Sequence, residues 1–566
     1  MLDKSVKQTL VVTLLLSFCS IVYELTLANT LSILTGNYIW WHSWTIGFYI
    51  AGLGFGALKA GKKLNSWREL FWIEIGLSIL GSISVVYVHF LYLVFYSYDY
   101  MAYMGGEFYT ASYIQNSFYM KVFFFVMAQS VTFLIGLLSG FEIPLLMKIL
   151  KESTGKDHEN KVLGFNYIGT LVGTLFFALF FLPKLDVFWT AIIVAGMNLM
   201  ICLYIVLQRR VKHSPDVLVP SALVFLFLVF MSFKNDKIVE TYLKIRYHAH
   251  RIITEDKTQF GTFLEHLNRI KPVERIKSLY QYIDVFEVDE KDGTVETIVT
   301  MDSNFQFSTL TEKFYHEGFS HVAMNLVGQR PKNILVLGAG DGFLLRELLK
   351  YDEIEKITHI ELDPEILKLA RRDKFKKINK SSLDNPRVNT IVGDGFFYLR
   401  NTDEKFDAIF IDFPYPKNYN LARLYSVEFY TYVKARLKPD GFAVLDTPVF
   451  EKKSFDKKKY YGQLIDKPIF TIKDLQNNSI ILSTIHYSGF TKYLPYKVGG
   501  ESFVVMRNSD TPFQFDLDKA DLSKIESVTD VQLRAISDQY FPYEIKEKYV
   551  NSIFHPTILD AGLSQF

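Results

Sequence analysis

Four acidic residues stand where a chain leaving a strand could use them for chemistry. They are Asp341 in Gly338-Ala-Gly-Asp-Gly342, Glu361 after Ile357–Ile360, Asp394 in Gly393-Asp-Gly395, and Asp412 after Phe406–Ile411. Each follows a short apolar run, and in a parallel sheet ligands bind beyond the carboxyl ends of the strands. Gly338-x-Gly340-x-Gly342 after a strand is the kind of turn that lets a backbone approach a nucleotide, a weak signal alone. Glu361, about 20 residues downstream, strengthens it, because an acid there can accept both ribose hydroxyls. The pair suits either a nicotinamide dinucleotide or an adenosylmethionine-type nucleoside, and Asp394 is the adenine-side acid expected of the second class. Four acids at four successive strand ends exceed what solvated loop ends would produce.

Asp341 carries the sharper inference. A methyl donor would bring its methionine carboxylate close to the glycine turn, where a fixed carboxylate repels it. A donor whose tail bears only an ammonium group is favoured instead, and decarboxylated S-adenosylmethionine is such a donor.

These residues need an alternating scaffold. Asn333–Leu337, Ile357–Glu361, Val388–Val392, Phe406–Ile411 and Phe442–Leu445 read as strands. Helices are expected through Leu344–Tyr351, Pro364–Arg372 and Val427–Leu437, with a turn at Asp440-Gly441. Alternation of this kind implies a parallel sheet covered by helices on both faces, a Rossmann-like fold of the methyltransferase type. Ahead of it, Tyr280–Glu287 and Thr297–Met301 flank Asp292-Gly293 and predict a small β-hairpin cap.

The other half of the chain is different in kind. Of 566 residues, 49% are hydrophobic, and 62 Lys and Arg nearly balance 60 Asp and Glu, which argues against a nucleic-acid binder. Cys19 and Cys202, the only two cysteines, exclude a disulfide scaffold and a cysteine-rich zinc site. Apolar blocks near 9–30, 43–60, 70–95, 121–147, 164–183, 187–208 and 217–233 are long enough to read as about seven membrane spans. Val217–Phe233, short and holding Pro220, reads as re-entrant or interfacial, and Gly140–Pro144 as a break. Basic residues cluster at Lys59–Arg68, Lys148–Lys161 and Arg209–Lys212, while Gly36–His42 and Ser97–Tyr119 have none, which puts the basic loops and the N-terminus in the cytoplasm. An odd span count then conflicts with a cytoplasmic soluble half, whose side stays open. The Tyr98–Tyr119 segment reads as an interfacial loop. Gly47, Gly52, Gly54 and Gly56 suit close helix contact. Glu24 lies well inside the first span, where a structural hydrogen bond and the binding of a cationic solute compete evenly, while Glu74 and Glu142 are expected to reach water. The domains expected are residues 1–233 in the membrane, a linker over 234–274, the cap over 275–330, the nucleoside-binding domain over 331–510 and a C-terminal extension over 511–566.

Tyr280-Gln281, Met301-Asp302 with Gln306, Tyr315-His316-Glu317, Gly338–Gly342, Glu361-Leu-Asp363, Gly393-Asp394-Gly395, Asp412 through Pro416, and Leu494-Pro-Tyr496 before Gly499-Gly500 occur in order. Together they resemble the spermidine synthase (polyamine aminopropyltransferase) family, in its membrane-embedded branch, over about residues 275 to 510. The resemblance implies that Gln281, Glu361, Asp394 and Gly395 hold the methylthioadenosine portion of the donor beside the turn of Gly338 and Gly340. Asp341 and His316 would contact the aminopropyl and polyamine chain, Asp412 would accept the proton, and Tyr315 and Tyr496 would line the amine channel. The sequence departs from the family's Asp-x-x-Asp-Pro pattern, since Tyr415 occupies the second acid position in Asp412-Phe-Pro-Tyr-Pro416. Asn418 and Tyr419 replace a Gly and a Pro, and Thr311 replaces an acid ahead of Tyr315. A phenol can contact an amine but brings no charge at neutral pH, so the acceptor could be putrescine or another amine.

The activity implied is transfer of the aminopropyl group of decarboxylated S-adenosylmethionine, a co-substrate and not a resident cofactor, to an amine, with no metal. The acceptor ammonium, with an intrinsic pKa of about 10, must lose a proton before it attacks, and a carboxylate can both bind that cation and take the proton. The rivals are a methyltransferase on the same fold and a membrane polyamine transporter or sensor whose nucleoside domain does not turn over. The expected partners are a small amine and the lipid bilayer of a cell membrane, with no nucleic acid, and with a homodimer left open.

Overall fold

The computed structural model describes residues 4–35, 38–60, 66–104, 111–208, 210–211, 214–255, 268–290, 292–302, 304–416, 418–452, 459–460, 463–464, 472–498, 500–513 and 520–559. The chain divides into two compact units, residues 1–267 and 268–566.

The described part of the first unit is helical: α1 (Lys4–Thr35), α2 (Tyr38–Lys59), α3 (Ser66–Met104), α4 (Ala111–Thr154), α5 (Glu159–Phe176), α6 (Val187–Leu207) and α7 (Pro215–Glu255). A π turn, Phe177–Phe181, carries α5 on to Lys184. Among the described residues six helical stretches are long and apolar enough to cross a membrane, by length and composition. The helix left out is α2, the expected second span, whose first turns carry His42, Ser43 and Thr45.

Several local expectations change. Pro144 lies inside α4 and Pro220 inside α7, so neither segment is broken there. Each proline removes one N–H, which leaves one carbonyl without its helical donor. A full break in apolar surroundings would orphan many more backbone groups. The helix α7 also runs on through residues 234–255, where a linker was expected. Most of Tyr98–Tyr119 is helical, as the end of α3 and the start of α4, and residues 105–110 lie outside the described ones. Glu74 and Glu142 are buried, at 0% and 3% exposure, instead of reaching water. The helices that carry them, α3 and α4, each pack against several other helices.

The glycine stripe works at two of its four positions. A Cβ on Gly56 would lie 2.1 Å from the Leu137 carbonyl oxygen, and one on Gly52 2.4 Å from that of Phe133. From the other side, Gly136 and Gly140 meet the backbone of Tyr49 and Leu53 at 2.4 and 2.3 Å. Small residues four apart on both helices thus let two backbones touch. Gly47 and Gly54 face nothing within 4 Å.

The second unit starts with a four-stranded antiparallel sheet, β1 (Ile270–Lys277), β2 (Tyr282–Asp289), β3 (Val295–Met301) and β4 (Asn304–Ser308), in sequence order. The expected hairpin is its middle pair. Ile283, Val285, Val299 and Phe307 of this sheet form one buried cluster with Phe343, Ile366 and Phe375.

The main sheet contains β5 (Asn333–Gly338), β6 (Lys356–Glu361), β7 (Val388–Val392), β8 (Phe406–Asp412) and β9 (Leu437–Asp446). After the short pair β10 (Lys459–Tyr460) and β11 (Gln463–Leu464) come β12 (Lys492–Val498) and β13 (Glu501–Arg507). Its order is β12-β13-β9-β8-β5-β6-β7, with β5 to β9 parallel and β13 antiparallel to β9. The strand β9 runs through Asp440-Gly441, where a turn was expected, with a register shift opposite Phe406 and Ala408. The chain winds from β5 outward to β7 and then returns to β8 on the other side of β5. That reversal is the switch point at which open parallel sheets bind ligands.

Residues 520–559 are built into this unit. The Glu317 carboxylate accepts backbone N–H bonds from Glu526, Ser527 and Val528 at 2.9, 2.8 and 3.1 Å. Buried Asn551 donates to the carbonyls of Ala422 and Tyr425, both at 2.9 Å.

Glycine contact predicts a paired result in the first unit. Gly56→Ala should destabilise it by about 1–3 kcal/mol, the usual cost of overpacking, whereas Gly54→Ala should be neutral or stabilising. Thermal melts of the purified full-length chain in detergent check this, and equal effects at both positions would contradict the α2–α4 contact.

Candidate active site

The glycine turn is shaped by what lies against it. Gly338 pairs in register with Asp412 across the switch point and has φ +82°, and a Cβ there would stand 2.0 Å from the Asp412 carbonyl oxygen. Only glycine fits so close an approach at a positive φ. Gly340 faces Glu361, with its notional Cβ 2.8 Å from that carboxylate. Asp341 accepts the Phe343 N–H at 2.9 Å, and its own carbonyl accepts from Asn379 at the same distance, which fixes the turn.

Glu361 ends β6 and accepts the Asp363 N–H at 2.8 Å. Withdrawal from water, with some repulsion from Asp363, Asp341 and Asp412, raises it from 4.5 to about 7. Gln281 donates to Asp363 at 3.1 Å, so the expected donor-side pair of Gln281 and Glu361 is joined through Asp363, a residue whose role was not foreseen. Asp394 caps the helix Gly395–Asn401, with Oδ1 accepting from Phe396 and Phe397 at 2.8 and 3.1 Å. Its Oδ2 pairs with Arg423, whose guanidinium also lies over the Phe396 ring. A Cβ on Gly395 would press on Phe413 and Leu337 at 3.2 and 3.3 Å, which explains glycine there.

The second half of the site gathers around Asp412. Its Oδ1 accepts a 2.8 Å hydrogen bond from the Tyr315 hydroxyl. Burial, with the charge of Asp341, raises Asp412 from 3.8 to about 6, although His316 and the Tyr315 bond pull the other way. Burial likewise raises Asp341, against the opposing effect of His316. At the end of β9 a further acid, Asp446, lies beside Tyr315 and is held well above the usual carboxylate range by burial and by Asp412. Three carboxylates therefore share this space with a phenol and an imidazole. Asp446 was missed because Leu445-Asp446-Thr447 carries no glycine signature, and only its place at the end of an apolar run could have flagged it.

His316 is buried, and its Nδ1 meets the carbonyl and carboxylate of Glu312 at 2.6 and 3.1 Å. Burial opposes its protonation, but the Glu312 bond and the charges of Asp341, Glu312 and Asp412 outweigh it and raise the imidazole. Arg346 grips the same Glu312 carboxylate through two 2.8 Å bonds and passes on to Glu347 at 2.7 Å. Glu347 in turn bonds His321 at 2.9 Å. Thr311, where the family has an acid, is exposed and makes no side-chain cap, so this departure leaves the buried network intact. Glu317 points elsewhere, onto residues 526–528.

Two expected amine contacts sit differently from each other. Tyr415 donates to Asn477 at 2.9 Å, and Asn477 donates to the Pro448 carbonyl at 2.7 Å, while burial pushes the phenol up to about 12. Tyr496 is fully buried and its hydroxyl donates to the Gly318 carbonyl at 2.9 Å, at the head of the π turn Gly318–Val322. Its ring packs on Phe503 at 5.3 Å, and Phe503 lies 5.5 Å from the Tyr315 ring. The polar end of Tyr496 is thus engaged with backbone, and its ring stands behind Tyr315 through Phe503. Gln306 is exposed on β4, and Gly499 lies outside the described residues.

Comparison with known proteins gives consistent matches. A family model described as the spermine/spermidine synthase domain matches residues 312–481. The polyamine aminopropyltransferase of Leptospira interrogans is 29% identical over 448 residues, 78% of this chain and 80% of that protein. That of Mycobacterium tuberculosis H37Rv is 31% identical over 439 residues, 75% of this chain and 74% of its own. Both matches are longer than the whole second unit, so the likeness runs into the helical unit. Among solved structures, spermidine synthase from Thermotoga maritima is 24% identical and covers 52% of this chain and 88% of its own, with a TM-score of 0.33.

Glu361 supplies a stability test. Its raised value means that the folded state holds the proton better than the unfolded chain does. That contribution is complete below 4.5 and is lost as pH rises through about 7. Glu361→Gln should therefore melt higher than the wild type at pH 8 and equally at pH 4 when no ligand is added. Calorimetry checks it, and a lower melting point at pH 8 would mean that the carboxylate is already satisfied.

Proposed function

This chain belongs to the polyamine aminopropyltransferase family, and from that premise we propose how its residues move an aminopropyl group from decarboxylated S-adenosylmethionine to an amine to make spermidine. The observation that carries the reading is Asp412, hydrogen-bonded to Tyr315 and crowded by Asp341 and Asp446 at the switch point of the sheet.

Glu361 takes the ribose hydroxyls, with Gln281 behind it through Asp363. Asp394 and Gly395 border the adenine side, and Gly338 and Gly340 let the donor's backbone-facing edge come close. Asp341 faces the ammonium end of the aminopropyl arm, and its charge disfavours an intact methionine carboxylate. The acceptor amine, held near Asp412, attacks the methylene next to the sulfonium. A C–N bond forms as the C–S bond breaks, and the bonding pair leaves on sulfur in methylthioadenosine. The proton that the amine sheds goes to Asp412. Positioning supplies most of the rate, since the sulfonium is already activated.

The acceptor is a cationic amine, with putrescine the simplest. Asp446 supports this, because it returns to the pocket a carboxylate that Tyr415 does not provide. His316, drawn toward its protonated form by the surrounding acids, keeps their combined charge from driving the pocket open. The first unit is read as a multi-pass domain embedded in a cell membrane, a reading supported by its six long apolar helices and the clustering of basic residues in alternate connections.

The test supplies the full-length protein with decarboxylated S-adenosylmethionine and a panel of diamines while methylthioadenosine is quantified. Asp412→Asn should lower turnover by about 10²–10⁴-fold, the usual share of a general base, with donor binding kept. Methyl transfer from intact S-adenosylmethionine would instead favour a methyltransferase. The acceptor-proton role also fixes a pH limb. Asp412 must be ionised, so kcat/KM should fall as pH drops through about 6. Tyr315→Phe removes a bond that favours the ionised form and should move that limb to higher pH. A limb that stays put in Tyr315→Phe would reassign the base.

A further inference from the structure

A buried polar cluster in the first unit has no part in the chemistry above. Glu74 on α3 is fully buried, and among the described residues neither of its carboxylate oxygens has a hydrogen-bond partner. Asn198 on α6 is 1% exposed, and both its amide nitrogen and its amide oxygen are likewise unpartnered. The helices α3 and α6 fix these two groups at one level. Cys202 approaches the Phe71 carbonyl at 3.5 Å, and Ser78 donates to the Ala195 carbonyl at 3.1 Å. Residues 71, 74 and 78 share a face of α3, as 195, 198 and 202 share a face of α6. Antiparallel pairing of 71 with 202 and 78 with 195 then sets Glu74 opposite Asn198.

A second carboxylate enters from α4. Glu142, 3% exposed, takes a hydrogen bond from Ser139 and interacts electrostatically with Glu74. Among the described residues, the other titratable groups that feel the charge of this pair are Cys19 and Tyr23 on α1, Tyr49 on α2 and Cys202 on α6. None is cationic. The charged contacts of α7 with α3 lie elsewhere, with Arg68 on Asp216 and Arg246 over the Tyr92 ring. Two carboxyl groups enclosed by helices, with no basic side chain facing them among the described residues and an unpartnered amide alongside, cannot both carry charge in so apolar a place.

We propose that Glu74, Glu142 and Asn198 form a binding site for one small monovalent cation inside the helical unit, taken up in exchange for a proton. One proton leaves as one cation enters, so the charge of the enclosed pair is unchanged. Carboxylates in this setting mark ion or proton paths through helical bundles. The ligand class spans alkali ions and the ammonium head of an amine, which offer the same positive charge to the same oxygens.

The test is labelling of the full-length protein in detergent with dicyclohexylcarbodiimide, an apolar reagent for protonated carboxyl groups, read by peptide mass spectrometry at Glu74 and Glu142. Parallel arms at pH 7 and equal ionic strength contain choline chloride, sodium chloride, potassium chloride, ammonium chloride or methylammonium chloride. Labelling of at least one of the two glutamates is expected in choline, and a several-fold slowing in at least one other arm, which identifies the cation. In Glu74→Gln, checked for folding by its melting curve, that protection of Glu142 should vanish. The wild-type arms decide the matter by themselves if the variant does not fold. No labelling in choline, equal labelling in every arm, or protection that survives in Glu74→Gln would overturn the site. Methylthioadenosine release from the second unit should be unchanged in Glu74→Gln, which separates this result from the fate of the aminopropyl-transfer reading.

Discussion

Like charges crowded into one partly dehydrated space are the constraint that the second unit is organised around. Asp341, Asp412 and Asp446 reach that space from the ends of three neighbouring strands; Asp341 raises the proton affinity of Asp412, and Asp412 raises that of Asp446. Such a cluster is unfavourable until something positive is near it. The chain supplies His316 as an internal counterweight and leaves the rest of the imbalance for a polycationic substrate. The same repulsion among the acids therefore acts as an attraction for a cation.

Much of the surrounding structure holds that counterweight in place. His316 and Tyr315 lie on one short helix, Glu312–Glu317. Arg346 clamps its first turn through Glu312, residues 526–528 hold its last turn through Glu317, and the rings of Phe319, Phe503 and Tyr496 close the side away from the pocket. Aromatic pairs of this sort add about 0.5–1.5 kcal/mol each beyond the area they bury. Tyr315 is thus fixed by its ring, which frees its hydroxyl for Asp412.

The catalytic half was largely legible in the sequence, because its signals are local. A glycine turn, an acid at a strand end and the alternation of strand and helix each occupy a few consecutive residues, so Gly338, Asp341, Glu361 and Asp412 could be placed before the fold was known. What was illegible depends on distant partners. Asp446 has no motif around it and matters only because β9 lies beside β8. Tyr496 has the chemistry of a channel residue but spends its hydroxyl on the Gly318 carbonyl, 178 residues away in sequence. In the helical unit, position along a span suggested that Glu74 and Glu142 would reach water, yet burial there is set by lateral neighbours. Pro144 and Pro220 misled for a related reason, since the cost of one missing N–H is small beside that of opening a helix in apolar surroundings.

The bonds from Glu317 to residues 526–528 also impose an order on biosynthesis. The ribosome delivers the apolar helices first, then Tyr315 and His316, and only some two hundred residues later the segment that fastens their helix. A nascent chain can therefore have its long helices made and most of its nucleotide fold assembled before the helix that carries Tyr315 and His316 is fastened. Completion of the site's helix is thus a late event of translation, and a message truncated shortly before that segment would leave the Glu317 carboxylate without its three backbone donors.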